Sequence, residues 1–177
     1  LPRRDLAPPL HKYPQPQLEK LLGEKKVVGG VEGSRGCHHK CSYCSVYAAY
    51  DGKVLLVSDD LVERDVANLV AQGMTHLTFT DADFFNAKKH GLKIIRTLHS
   101  QFPDLTYDFT TRVDHILENK DAIKEMGKLG LAFITTALEF PKQEVLDQVF
   151  KEMNVPMIEE ALAFLKEAGV KVNPTFI

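Results

Sequence analysis

Tryptophan is absent from this 177-residue chain, cysteine occurs only three times, and neither sign of charge dominates. An odd number of crowded cysteines excludes a disulfide framework. The formal net charge of −2 argues against the basic footprint of a nucleic-acid binder. No run of about 18 apolar residues occurs, so no membrane-spanning helix is expected. No secretory signal pattern opens the chain. Unpaired thiols fit a reducing, cytoplasmic compartment. What is present is a 44% hydrophobic content, ordinary for a packed core, over a length of one domain or most of one. The chain opens on Leu1 rather than Met and closes on the apolar run 170–177. A parallel strand left there would be an uncovered edge, so we expect a fragment whose natural continuation lies beyond Ile177.

Five of the nine prolines fall within residues 1–17, which bars a continuous helix or central strand there. Residues 1–25 therefore read as a Pro-rich N-terminal arm, extended on the domain or partly disordered, with a short helix at 18–22. The core, 26–177, alternates strand and helix patterns. Strands are expected at 26–31, 76–80, 105–110, 131–138 and 170–177. Helices are expected at 60–72, 91–101, 120–129, 143–150 and 157–168, several stopped by Gly73, Gly130 and Gly169. Alternation of this kind implies right-handed βαβ units and a parallel sheet. Gly29-Gly30-Val31-Glu32-Gly33 does not match the dinucleotide-binding glycine fingerprint, so a partial (β/α) barrel fits the α/β pattern better than a doubly wound sheet.

A parallel barrel gathers its chemistry at the C-terminal ends of its strands. The residues expected there are the cysteine loop, then Asp81 and Asp83, then Arg112, then Glu139, then Asn173, Thr175 and Phe176-Ile177. A helix-start acid or a surface ion pair would explain any one of them alone, Arg112 pairing with Asp108 or Asp114 for example. A rim of acids, one arginine and a metal loop on one side of a sheet suits a zwitterionic, nucleoside-bearing cofactor.

All three cysteines lie in Cys37-His38-His39-Lys40-Cys41-Ser42-Tyr43-Cys44. Two metal chemistries fit. Cys37, Cys41 and Cys44 with His38 or His39 would make a Cys3His zinc site, and the chain would then be a zinc-stabilised binding module. Structural zinc, however, usually takes ligands from two knuckles, and no second knuckle is present. An iron–sulfur cluster normally takes four thiolates, so three would leave one iron open to another ligand. His38 and His39 read as solvated loop residues, and His115 as a residue that could face a substrate. His76, His90 and His99 read as structural or surface positions, and Lys88-Lys89 as a solvated helix start.

The Cys-x3-Cys-x2-Cys spacing with Tyr43 before the last cysteine resembles the radical S-adenosylmethionine (SAM) superfamily over residues 26–177. The resemblance implies a partial barrel of six units, about five of them in this chain. It implies a 4Fe-4S cluster on Cys37, Cys41 and Cys44, with SAM chelated by the open iron. It implies a one-electron donor such as flavodoxin or ferredoxin, and a small-molecule substrate. In that family the loop after the second strand holds the SAM amino group, often through Gly-Gly-Glu. Thr80-Asp81-Ala82-Asp83 departs from this, and Asp81 and Asp83 remain alternatives. Arg112 is the candidate for the SAM carboxylate, Glu139 for the ribose hydroxyls, and Tyr43 and Phe176 for adenine. The runs 35–44, 50–52 and 78–84 further resemble the radical SAM proteins that carry a cysteine- or selenocysteine-containing Ala-Glu-Pro tail. One branch of these moves the 3-amino-3-carboxypropyl group of SAM onto arsenic in arsinothricin biosynthesis. RNA-modifying and cobalamin-dependent members of the superfamily are further alternatives.

Overall fold

Five strands form one all-parallel sheet in the order β1 (Val28–Val31), β4 (His76–Phe79), β5 (Thr106–Thr110), β6 (Leu131–Glu139) and β7 (Lys171–Phe176). Helices fill the crossovers, and the chain has the α/β architecture of a partial β/α barrel. The computed structural model describes residues 2–140, 142–147 and 153–176. The expected helix at 143–150 is present as α7 (Gln143–Leu146); its positions 148–150 lie outside the described residues.

Each crossover helix forms where its apolar spacing allows one face to be buried. α3 (Asp59–Ala71) buries Val62, Val66 and Leu69, and carries Asp59 and Asp60 in its first turn, where negative charge suits the helix dipole. α4 (Lys88–Gln101) buries Leu92, Ile94, Ile95 and Leu98. It begins three residues before the expected 91, because the helical turn at Phe84–Ala87 feeds straight into it. α6 (Lys120–Lys128) buries Ile123 and Met126. α8 (Val155–Glu167) is capped by Asn154, whose side chain accepts from Met157 N at 2.9 Å.

Register divides the sheet into two unlike faces. Leu77 pairs with Tyr107 and Phe79 with Phe109, and Phe109 in turn pairs with Ile134. These residues pack among the helices, with Phe84 stacked on Phe109 at 4.5 Å. The alternate residues are polar. Thr78 Oγ1 donates to Asp108 Oδ1 at 2.7 Å, and His76 Nε2 lies 3.0 Å from the same oxygen. His76 Nδ1 lies 2.8 Å from Thr106 Oγ1, and Asn173 Nδ2 donates to Thr135 Oγ1 at 3.2 Å. In a barrel this second face is the inner one. His76 is thus a wholly buried structural residue.

Two short strands and two short α-helices were not anticipated. A small antiparallel ribbon pairs β2 (Ser34–Arg35) with β3 (Leu55–Leu56), α2 (Val46–Tyr50) follows the cysteines, and α5 (Val113–Glu118) follows β5. Two-residue strands and a five-residue helix carry too little periodicity to read from sequence. The ribbon brackets the cysteine loop. Gly36 enters that loop at φ 91°, and a Cβ there would lie 2.1 Å from the Lys53 carbonyl oxygen, so only glycine fits.

Arg4 ties the N-terminal residues to β1 and α3. Arg4 donates to Asp65 Oδ2 at 2.6 Å and to the Gly30 carbonyl at 2.8 Å, covering part of the free edge of β1. α1 (Pro16–Leu22) starts two residues before the expected 18 and ends at Gly23 with φ 83°. Lys171 Nζ donates to the Leu21 and Leu22 carbonyls at 2.9 and 3.0 Å, so a β7 residue caps the C-terminus of α1.

Candidate active site

The cysteine loop leaves the β2 ribbon and folds over the C-terminal ends of β4, β5 and β6. Cys37, Cys41 and Cys44 all line one cavity of about 200 Å³, together with His39, Tyr43, Asp83 and Arg112. The three thiols are half-buried and unbridged. Arg112 Nη1 lies 3.7 Å from Cys41 Sγ, a cation placed where it favours a thiolate. Three thiols on one cavity wall, with no fourth cysteine in the chain, fit a cluster that keeps one iron open.

The two acids that end β4 do different work, although both are buried and only two residues apart. Asp81 faces the ribbon. It accepts from Gly33 N at 2.9 Å, Ser34 N at 2.6 Å and Ser34 Oγ at 2.7 Å, anchoring the entry to the cysteine loop. Burial pushes its carboxyl upward against the pull of those donors. Asp83 faces the cavity. It accepts from Phe85 N at 3.1 Å, Thr111 Oγ1 at 2.7 Å, Arg112 N at 3.2 Å and His115 Nδ1 at 3.1 Å. One carboxylate thereby ties the end of β4 to the end of β5. Thr111 and Ser34 carry no sequence signal of this role; only the parallel pairing of β1, β4 and β5 brings them to the acids.

Arg112 is pinned rather than superficial. Its Nε and Nη2 donate to Asp114 at 2.9 and 2.7 Å, leaving Nη1 toward Cys41. Burial raises the Asp114 carboxyl, but the Arg112 hydrogen bonds and charge outweigh it and hold Asp114 below its ordinary value. Of the two partners expected for Arg112, Asp114 is the one found; Asp108 belongs to the inner face of the sheet.

Glu139 ends β6 at a register shift against β7, with a positive φ of 61°. A non-glycine residue in that region is uncommon and costs of order 1–3 kcal/mol. The turn aims a nearly inaccessible carboxylate at the cysteine loop, where Glu139 Oε1 accepts from the Tyr43 hydroxyl. Burial first, then this hydrogen bond, pushes the Tyr43 hydroxyl above its usual value, so it stays a donor. Phe176 lies at the end of β7, 60% exposed, and Ile177 lies outside the described residues.

His39, which lines the cavity, meets His115 with Nε2 to Nε2 at 3.2 Å. Burial first, then the neighbouring Arg112 charge, lowers His39 to about 4, so it is neutral near pH 7. Burial lowers His115 as well, but its Asp83 hydrogen bond and the Asp83 and Asp114 charges outweigh this and raise it. His39 is thus a half-buried wall residue rather than a solvated one.

A family model described as the radical SAM superfamily matches residues 31–177. Hopanoid C-3 methylase of Methylococcus capsulatus is 28% identical over 172 residues, covering 97% of this chain and 32% of the methylase. Among solved structures, the cobalamin-dependent radical enzyme OxsB with aqua-cobalamin superposes with a TM-score of 0.71 at 17% identity, over 84% of this chain and 23% of OxsB. The methyltransferase TsrM of Kitasatospora setae, with cobalamin and a 4Fe-4S cluster bound, superposes with a TM-score of 0.69 at 16% identity, over 89% of this chain and 30% of TsrM. The chain thus spans about a third or less of these proteins. Among the described residues no helix is long and apolar enough to cross a membrane.

Proposed function

The chain belongs to the radical SAM superfamily, an enzyme family whose cofactors are a 4Fe-4S cluster and SAM, and on that premise we propose that it is a SAM-cleaving transferase acting on a small polar acceptor. The observation that carries this reading is the convergence of Cys37, Cys41 and Cys44 on one cavity at the strand ends. When bound there, the cluster supplies the single electron that breaks a carbon–sulfur bond of SAM. Around it, Arg112 offers positive charge beside Cys41, Asp83 is the acid that borders the cavity, and Glu139 and Tyr43 form a hydrogen-bonded pair at its rim. We assign Asp83 to the SAM amino group, Arg112 to its carboxylate, Glu139 to the ribose and Tyr43 to adenine. Asp81 serves as the anchor of the loop, and Phe176 as an apolar edge for adenine. Electrons come from a small one-electron carrier of the flavodoxin or ferredoxin type in the cytoplasm.

The inner face of the sheet supports a polar acceptor over a lipid. Thr78, Asp108, Thr135 and Asn173 present hydroxyl, carboxylate and amide groups there. Together with the motif resemblance, this favours transfer of the 3-amino-3-carboxypropyl group to trivalent arsenic. In that transfer the arsenic lone pair becomes the new carbon–arsenic bond, sulfur keeps the electron pair of the broken bond, and methylthioadenosine leaves. An arsenic hydroxyl loses its proton, and the transfer is redox-neutral overall, because arsenic gives up the two electrons that the sulfonium takes. A second reading, cobalamin-assisted methyl transfer, is favoured by the likeness to OxsB, a cobalamin-dependent radical enzyme, and to TsrM, a methyltransferase with cobalamin bound.

Nucleoside products separate the two. Anaerobically reconstituted protein is reduced with dithionite, given SAM and arsenite, and read by mass spectrometry. Methylthioadenosine with an arsenic-bearing amino acid supports the proposal. S-adenosylhomocysteine that requires added cobalamin supports the second reading. 5′-Deoxyadenosine alone overturns both in favour of hydrogen abstraction.

A further inference from the structure

We propose that His38, His39 and His115 form a second metal site, which takes a divalent first-row transition ion on three imidazole nitrogens, separate from the three thiols. The three ligand nitrogens lie within 4.8 Å of one another, and those of His39 and His115 are 3.2 Å apart. Two ligands on a tetrahedral ion with metal–nitrogen bonds of 2.0–2.1 Å lie about 3.3 Å apart. A hydrogen bond would explain the His39–His115 spacing alone. It would not explain why exposed His38 also holds a ligand nitrogen within 4.8 Å of the other two. His38 is exposed, and metal binding requires its ring to turn and close the remaining gap.

The support behind the site is that of a metal ligand. His115 Nδ1 lies 3.1 Å from Asp83 as a donor, so in the neutral ring the lone pair sits on Nε2, which faces His39. A carboxylate behind a ligating imidazole fixes its tautomer and orientation and raises its basicity. Asp83 is itself held by Thr111 and by two backbone amides, so His115 is aimed by a rigid group. Imidazole-only sites suit zinc, copper, cobalt and nickel over calcium or magnesium. Three protein ligands leave a fourth position for solvent or substrate, the pattern of a reactive site rather than a structural one. His39 lines the cysteine cavity, so that position lies beside the place where SAM chemistry is proposed. The site does not depend on that chemistry.

The test uses the whole chain with Cys37→Ser, Cys41→Ser and Cys44→Ser, which removes competing thiolates. Cobalt(II) is titrated under anaerobic conditions, followed by visible absorption and by equilibrium dialysis. The expected result is one cobalt per chain with tetrahedral bands and no thiolate charge-transfer band, displaced by zinc. His39→Ala or His115→Ala should weaken binding more than about 100-fold, and Asp83→Asn by about 10- to 100-fold. No cobalt retained by the folded protein, or equal affinity in His39→Ala, overturns the proposal. His39 sits in a loop, so its variant remains informative even if the Asp83 or His115 variants unfold. If the serine variant itself unfolds, metal analysis of the cluster-loaded chain decides. Zinc found beside iron and lost in His39→Ala supports the site; iron alone after zinc exposure overturns it.

Discussion

Where the sheet meets its helices, Leu77, Phe79, Phe109 and Ile134 are each 1% exposed or less. On the other side, the same strands present His76, Thr78, Asp108 and Thr135, joined by side-chain hydrogen bonds within the face or to β7. Neighbouring residues of one strand therefore do separate work. The helix-facing set supplies burial, which is non-directional and tolerant of shape-conserving change. The inner set supplies direction, and it leads to a rim where Asp83, Arg112 and Glu139 meet the cysteine loop. Damage on the helix face should cost stability, and damage at the rim should cost chemistry.

The largest expected effect is at the rim. Replacing any one of Cys37, Cys41 or Cys44 with Ala should abolish cluster loading and SAM cleavage while the chain keeps its helical circular dichroism; SAM cleavage surviving in such a variant would break the comparison. On the helix face, Phe109→Ala should cost about 3–5 kcal/mol in urea denaturation through lost burial and the cavity left behind. The folded fraction should still load iron normally.

The next effect tests the arm. Arg4→Ala leaves the buried Asp65 carboxylate without its guanidinium and should cost about 2 kcal/mol. An unchanged denaturation midpoint would mean that the arm does not bear on the core. At the rim, Tyr43→Phe removes only the hydrogen bond to Glu139. It should raise the KM for SAM several-fold and move stability by no more than about 1 kcal/mol. A loss of stability with KM unchanged would reassign this pair to folding.

The smallest effect is one of pH. Asp114 is held below its ordinary value, so its contribution is intact above the unfolded carboxylate value near pH 4 and is lost as pH falls through the lower folded value. Asp114→Asn should therefore flatten the acid limb of a stability–pH curve below about pH 4. An unchanged acid limb would show that the Arg112–Asp114 pair is too solvated to matter.

What the chain discloses in advance follows from periodicity. The expected strands at 76–80 and 131–138 fall within a residue of β4 and β6, because β-branched and aromatic runs bounded by glycine or acidic turns are strong signals. The ribbon of Ser34–Arg35 with Leu55–Leu56 is silent, since two residues have no period to read. The same holds at the site. Three cysteines in eight residues are legible because local spacing carries them. The division of labour between Asp81 and Asp83 is not, because it depends on which β-strand neighbour each carboxylate meets, Ser34 in one case and Thr111 in the other. The contact of His39 with His115 spans 76 positions, and no local pattern announces it.

The central claim is that three thiolates hold a cluster with one iron left open to SAM. Electron paramagnetic resonance of the reconstituted, dithionite-reduced protein, recorded with and without SAM, tests it most directly. The expected result is a reduced 4Fe-4S signal that SAM reshapes, with iron and sulfide each about four per chain. One zinc without sulfide, or a cluster signal indifferent to SAM, would contradict it.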